Sequence, residues 1–191
     1  SGLPKPTTNA VYKGSYQPRF MASLGTNLNY KGFSLNVLFD TKQGGVFFSR
    51  TKDIMEFVGT SANTENRDDQ VFPNSVYIDA NGNSVANTTK YSPYDYFTSV
   101  APVGTHVLDA SYIKLREASL GYTLPSKLMK KTGFSSAKVS LFGNNLFIWT
   151  SKENRYADPE VNSGGNSDEQ GLDFSARPSL RNYGISLKVT F

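Results

Sequence analysis

The 191-residue chain has no cysteine, a net charge of +4, and only 19% charged residues beside 13% aromatic ones. Disulfides and cysteine-ligated metals are excluded, and the scattered basic residues, never interleaved with aromatics, give no support to nucleic-acid binding. No apolar run approaches the ~18 residues of a transmembrane helix, and Ser1-Gly2-Leu3-Pro4-Lys5-Pro6 lacks the basic start and apolar stretch of a signal peptide.

Residues 1–18 are polar, carry Pro4, Pro6 and Pro18, and read as a loop. Phe20 to Tyr30 then alternates, with Leu24, Thr26, Leu28 and Tyr30 on one face and Ser23, Gly25, Asn27 and Asn29 on the other. Lys31-Gly32 is a tight turn, and Phe33, Leu35, Val37 and Phe39 continue the apolar face, which predicts a hairpin. A long connection follows from Gln43 to His106. Within it Ile54, Phe57 and Val58 fall at helical spacing before Gly59, and Tyr77-Ile78 suggests a short strand.

Ala110 to Thr123 reads as a third long strand. Ala118, Leu120 and Tyr122 oppose Ser119, Gly121 and Thr123, but the phase is ambiguous over Tyr112–Glu117, where a bulge would resolve it. Ser126 is the expected cap of a short helix through Lys131, closed by Gly133. A fourth strand runs from Ala137 to Trp149, interrupted at Gly143-Asn144-Asn145. A second long polar segment, Thr150 to Ser179, leads to the last strand.

That last strand is the clearest. Tyr183, Ile185, Leu187, Val189 and Phe191 alternate with Gly184, Ser186, Lys188 and Thr190. One apolar and one polar face suit a transmembrane β-strand of about 9–11 residues, and equally a half-buried strand of a soluble sandwich. The connections run short, long, short, long, as in outer-membrane barrels with short periplasmic turns and long extracellular loops. A loop as long as 43–106 is unusual in a compact soluble domain. Aromatics near the strand ends (Tyr30, Phe33, Tyr122 and Phe191 below; Phe47, Phe48 and Trp149 above) suggest two interfacial girdles. Five strands cannot close a membrane barrel, since bacterial single-chain barrels start at about eight. The membrane alternative therefore requires strands beyond this chain.

The run Asp109-Ala110-Ser111-Tyr112-Ile113-Lys114-Leu115-Arg116-Glu117-Ala118-Ser119-Leu120-Gly121-Tyr122-Thr123-Leu124-Pro125 resembles the C-terminal barrel segment of SusC/RagA-type TonB-dependent outer-membrane transporters of the Bacteroidetes. Tyr30-Lys31-Gly32-Phe33, Gly143-Asn144-Asn145-Leu146-Phe147, Asp158-Pro159-Glu160-Val161-Asn162 and the closing aromatic strand match in the same order. The resemblance implies an all-β fold, with residues 1–191 supplying the C-terminal five antiparallel strands of a roughly 22-stranded transmembrane barrel. It also implies a plug, a TonB-contacting N-terminal part, outer-membrane lipid around the wall, and a SusD-like surface lipoprotein acting as a lid. Import of oligosaccharides or peptides would be its activity. Plug and TonB-contacting part are absent from this chain, as nicking or chain division in an extracellular loop near Ser1 would produce.

The candidate sites follow from these expectations. Tyr183, Ile185, Leu187, Val189 and Phe191 resemble the signal read by the barrel-assembly machinery, which β-augmentation of an edge strand would recognise. Tyr77, Tyr91, Tyr94, Tyr96 and Phe97 offer stacking faces for sugar rings or peptides. Asp158, Glu160 and Asn162, with Asp168, Glu169 and Asp173, make the last loop acidic and suit contact with the lid or substrate. Asp158-x-Glu160-x-Asn162 also has the alternating oxygens of a calcium loop, although Ser163 stands where glycine is expected. His106, the single histidine, sits in a polar loop without a nucleophile elbow. No enzyme and no cofactor are expected. The alternatives at this point are a passive pore barrel and a soluble carbohydrate-binding β-sandwich.

Overall fold

Alternating runs joined by a two-residue turn should pair as neighbours in one antiparallel sheet, and in the computed structural model they do. It describes residues 2–7, 9–130, 133–165 and 169–191. Ser1, Lys131 of the expected short helix and Asp168 of the acidic loop lie outside the described residues.

In chain order the strands are β1 (Phe20–Tyr30), β2 (Phe33–Gln43), β3 (Val46–Ser49), β4 (Gln70–Val71), β5 (Val76–Ile78) and β6 (Ser84–Ala86). Then come β7 (Lys90–Tyr91), β8 (Val107–Asp109), β9 (Tyr112–Thr123), β10 (Ser136–Thr150), β11 (Leu172–Asp173) and β12 (Asn182–Thr190). Helix α1 spans Arg50–Phe57, α2 Pro93–Asp95 and α3 Ser126–Met129. The chain separates into two compact units.

The first unit, residues 15–46, 109–161 and 177–191, is built on one antiparallel sheet of five strands in the order β1-β2-β9-β10-β12. Its register aligns the apolar positions into rows. Leu28, Leu35, Leu120, Leu141 and Ile185 are successive partners across the sheet, and so are Tyr30, Phe33, Tyr122, Val139 and Leu187. The opposite face carries the row Asn29, Ser34, Gly121, Ser140 and Ser186, then Lys138 against Lys188 and Ser136 against Thr190. The apolar rows are largely exposed: Leu24 is 76% exposed and Ile185 75%. A continuous apolar patch of this kind marks an interaction or membrane surface, not a soluble exterior.

The turn between β1 and β2 is the expected one. Lys31 and Gly32 have φ of 47° and 88°, the two positive values that a type I′ hairpin turn requires. Phe33 and Tyr122 rings then meet at 4.6 Å. The ambiguous phase of β9 is a bulge at Arg116: Leu38 and Phe39 of β2 pair with Glu117 and Leu115, and Arg116 has no partner between them. β10 bulges at the same level, between Asn144 and Phe147, with Asn145 at φ 52°.

The second unit comprises residues 47–108 and 162–176 with the described part of 1–14. Its elements are short. β3 lies between β11 and β8, β4 pairs with β7, and β5 pairs with β6. Ser49 caps α1, its hydroxyl accepting the Lys52 amide hydrogen at 3.1 Å.

Two expectations are corrected, the cap of α3 and the upper aromatic girdle. Ser126 does not cap α3: Pro125 holds that position and makes no side-chain bond, since a proline with its fixed φ can enter a helix without supplying a donor. Ile54, Phe57 and Val58 are exposed, and the residue that α1 buries is Glu56. Phe47 is buried, and Phe48 packs 6.2 Å from His106 and 6.4 Å from Phe174. These two phenylalanines are loop core, not girdle. No helix among the described residues is long and apolar enough to cross a membrane.

Gly32 tests the hairpin. A Cβ there would stand 3.1 Å from the Thr123 carbonyl oxygen on a left-handed backbone, which costs an L residue about 1–2 kcal/mol. Gly32→Val in the full-length protein should lower its urea midpoint in detergent. An unchanged midpoint would contradict the turn assignment.

Candidate functional site

The bulge at Arg116 determines which β9 side chains share a face. Below it Ala118, Leu120 and Tyr122 point outward. Above it the phase is reversed, so Ile113 and Leu115 join the outer face while Tyr112 and Lys114 are buried or nearly so. Lys114 is 1% exposed, a position that an ammonium group occupies only with partners. Its Nζ donates to Asp158 Oδ2 at 2.9 Å, Glu160 Oε2 at 2.5 Å and Ser179 Oγ at 3.2 Å. Arg116 Nη2 donates to Asp40 Oδ2 at 2.5 Å and Glu160 Oε1 at 2.7 Å, and Nη1 to Glu160 Oε2 at 3.0 Å. The Arg116–Glu160 contact is therefore the two-pronged geometry that favours arginine over lysine.

Two cations thus hold three carboxylates. Asn145, turned by the β10 bulge, accepts from Arg116 Nη1 at 3.1 Å and donates to the Leu180 carbonyl at 3.1 Å. Asp158 also accepts from the Ser179 hydroxyl at 2.7 Å and the Ser179 amide at 3.2 Å. The network therefore fixes residues 158–160 and 179–180, from the two ends of the last long connection, to β2, β9 and β10. Burial pushes both loop carboxyls up. For Asp158, bonds from Ser179 and Lys114 outweigh it, and for Glu160, bonds from Arg116 and Lys114 do. Both are held below their ordinary values. The position marked by the sequence as a calcium candidate is occupied by the Lys114 ammonium, and the Asn162 amide donates to the Gly165 carbonyl at 2.7 Å. Among the described residues no group of three or more histidines and carboxylates could hold a metal ion.

In the second unit the structure gathers part of the aromatic set. Tyr91, Tyr96 and Phe97 cluster around Phe72, a residue the sequence did not single out. Phe72 lies 5.7 Å from Tyr91 and 5.6 Å from Tyr96, and Tyr96 5.1 Å from Phe97. Burial, with smaller contributions from Tyr91 and Glu56, raises the Tyr96 phenol. Tyr77 stands apart on the β5–β6 hairpin opposite Val85, and Tyr94 is 70% exposed. Tyr94 and Phe97 line a cavity of about 320 Å³ together with Glu56, Phe57, Val58, Arg67 and Pro93.

His106 is not an idle loop residue. It is buried, its Nε2 lies 3.0 Å from Glu56 Oε2, and its Nδ1 3.7 Å from Asp53 Oδ1. Glu56 Oε1 also accepts from Asn63 Nδ2 at 2.9 Å. Ser49 and Asp173 form a second buried pair at 2.9 Å. Neither pairing has a signature in sequence, because the partners are 50 and 124 residues apart.

Of the terminal residues, Tyr183, Ile185 and Leu187 project from β12 with 81%, 75% and 66% of their surface exposed, and Val189 is half-buried. Phe191 follows the strand and meets Phe134 edge-to-face at 5.2 Å.

A sheet with polar groups on one face and an apolar band on the other has the pattern of an outer-membrane β-barrel wall. The chain is 28% identical over 183 residues to TonB-dependent receptor P3 of Formosa agariphila, covering 93% of this chain and 17% of that protein. It is 28% identical over 193 residues to receptor P26 of the same organism, covering 97% and 18%. No family model matches. Among solved structures it resembles the RagAB peptide importer in the open-open state, with TM-score 0.58 and 18% identity over 93% of this chain and 18% of that one. For the closed-closed state the TM-score is 0.60, with 18% identity over 91% and 17%. The chain is thus similar over nearly its whole length to TonB-dependent receptors, and it spans about a sixth of the length of the relatives it matches. These relatives are receptors and transporters, not enzymes.

The ion network yields two predictions. Lys114→Met leaves half-buried Asp158 and exposed Glu160 short of a cation, which should destabilise the protein by about 1–3 kcal/mol. Lys114→Met with Asp158→Asn should recover part of that loss; a double variant no better than the single one would show the pair is not coupled. Because both carboxyl pKa values are lower in the folded state, their contribution is present at neutral pH and lost as pH falls through those depressed values. Hydrogen exchange should show residues 158–160 and 179–180 protected at pH 7 and opening below about pH 4, the ordinary carboxylate range. Protection that survives to pH 2 would contradict the assignment.

Proposed function

We propose that this chain is the C-terminal five strands of a roughly 22-stranded barrel, part of an active importer of oligosaccharides or peptides. The observation that carries this reading is the five-stranded sheet itself. β1 and β12 each have one neighbour among the described strands, while the apolar rows run across all five. An open edge in lipid leaves backbone groups unpaired at several kcal/mol each, so both edges call for strands from the rest of the same receptor.

On this reading the turns at Lys31-Gly32 and at residues 125–133 are periplasmic, and residues 43–106 and 150–179 are extracellular. The polar face lines the interior, where Ser186, Lys188 and Thr190 meet the plug, substrate or water. Tyr77, Tyr91, Tyr94, Tyr96 and Phe97 contact substrate or a SusD-like lipoprotein lid. Asp158 and Glu160 act there through the loop they anchor, and Asn162 from the loop itself. TonB supplies the energy through a plug and N-terminal part outside this chain. The structural neighbours belong to a peptide importer, which favours peptide as one of the two substrate classes. The Formosa relatives suggest a member of the Bacteroidetes as the source.

Tyr183, Ile185, Leu187, Val189 and Phe191 form the assembly signal. Deleting Phe191 should reduce the heat-modifiable, folded receptor in outer-membrane fractions several-fold; unchanged yield would remove that role. Energy coupling is tested by uptake. In cells carrying the full receptor, uptake of labelled oligosaccharides and peptides should stop when a protonophore collapses the proton-motive force. Uptake that continues would make the barrel a passive pore.

A further inference from the structure

The cavity in the second unit has features that the packing of that unit does not explain. Helix α1 is short, and its apolar residues at the C-terminal end are not buried: Phe57 is 54% exposed and Val58 56%. Both border the cavity of about 320 Å³, with Pro93, Phe97 and the largely exposed Tyr94 completing an apolar wall. That volume is at the lower end of the range for small-ligand sites, about 300–1,000 Å³, and suits one side chain and its attached backbone better than an extended chain.

The polar lining is asymmetric. Glu56 is 4% exposed, and both its oxygens are engaged, by Asn63 Nδ2 at 2.9 Å and His106 Nε2 at 3.0 Å. It is a satisfied part of the wall. Arg67 is exposed and donates one bond, from Nη2 to the Gly59 carbonyl at 2.9 Å. Among the described residues no carboxylate pairs with it, which leaves most of its five donors available. An apolar cavity with a guanidinium at its exposed side is complementary to an apolar group that carries a carboxylate.

We propose that this cavity binds an apolar organic carboxylate, the aliphatic or aromatic body against Phe57, Val58, Pro93 and Phe97 and the carboxylate on Arg67. Two sources share this chemistry, the carboxy-terminal residue of a peptide and a free aryl or alkyl acid. The inference rests on the reading of this unit as the ligand-facing part of a receptor. A sugar ring is less well served, since its many hydroxyls would meet few unengaged polar groups here.

The test uses the full receptor in detergent, first shown to be heat-modifiable, so that failure of the barrel and failure of the site are told apart. Calorimetry compares N-acetyl-Ala-Phe, its carboxy-terminal amide, and 3-phenylpropanoate. The acid peptide should bind at least tenfold more tightly than the amide, as expected for losing charge-assisted bonds. Arg67→Gln, an exposed substitution, should abolish that preference, and Arg67→Lys should restore part of it. Ser92→Phe, at a cavity residue whose side chain makes no capping bond, should weaken acid and amide alike. 3-Phenylpropanoate matching the peptide would identify free acids as sufficient, and tenfold weaker binding would identify a peptide terminus; both support the site. Equal binding of acid and amide, a preference that survives Arg67→Gln, or no binding to heat-modifiable receptor would overturn it.

Discussion

Side chains on a strand alternate with a period of two, so one extra residue moves everything beyond it to the other face. β9 uses that rule at Arg116. Without the bulge, Tyr112, Lys114 and Arg116 would continue the outward phase of Ala118, Leu120 and Tyr122 and place two charges in the apolar band. With it, Ile113 and Leu115 extend the band, and both cations turn to the polar side. The corresponding bulge in β10, at Asn145, accommodates the displacement in the neighbouring strand and supplies a bridging amide.

Turning Lys114 inward is useful only because carboxylates await it. Buried ion pairs are weak sources of net stability, since desolvation offsets much of the attraction. Their stronger effect is on specificity: a buried ammonium rejects arrangements that leave it without partners. Here it selects the one in which residues 158–160 and 179–180 return to the sheet. The second unit follows the same logic on a smaller scale, with Glu56 against His106 and Ser49 against Asp173. Among the described residues the buried apolar set is small, Phe47, Leu108, Ala110, Tyr112, Met129 and Ala137, and the buried polar set is at least as large. Loops with few apolar contacts are ordered by satisfied polar anchors instead.

That inversion of the usual inside and outside is what a barrel wall in lipid demands. In such a wall large apolar side chains meet hydrocarbon, and the polar face is left for an aqueous or protein-filled interior. In the second unit an aromatic cluster stands beside an apolar cavity bordered by Arg67, which has no carboxylate partner among the described residues.

The strands were legible from the sequence because their signal is local. β1 has the predicted bounds, the Lys31-Gly32 turn has the predicted backbone, and the phase break in β9 marked its own bulge. The resemblance to SusC/RagA-type receptors rested mainly on motifs in those same strands, with one, Asp158–Asn162, in the last long loop. The loops were less legible. The spacing of Ile54, Phe57 and Val58 indicated a helix but not that Glu56 would be its buried residue, because burial depends on which distant segment covers the helix. The acidic run at 158–162 was visible as charge, while its lysine and arginine partners, more than 40 residues away, were not. Alternation along a strand is fixed by the covalent chain and its sterics, so sequence alone determined the sheet. The partner of a buried charge is chosen only when the chain closes on itself, and that was left to the tertiary structure.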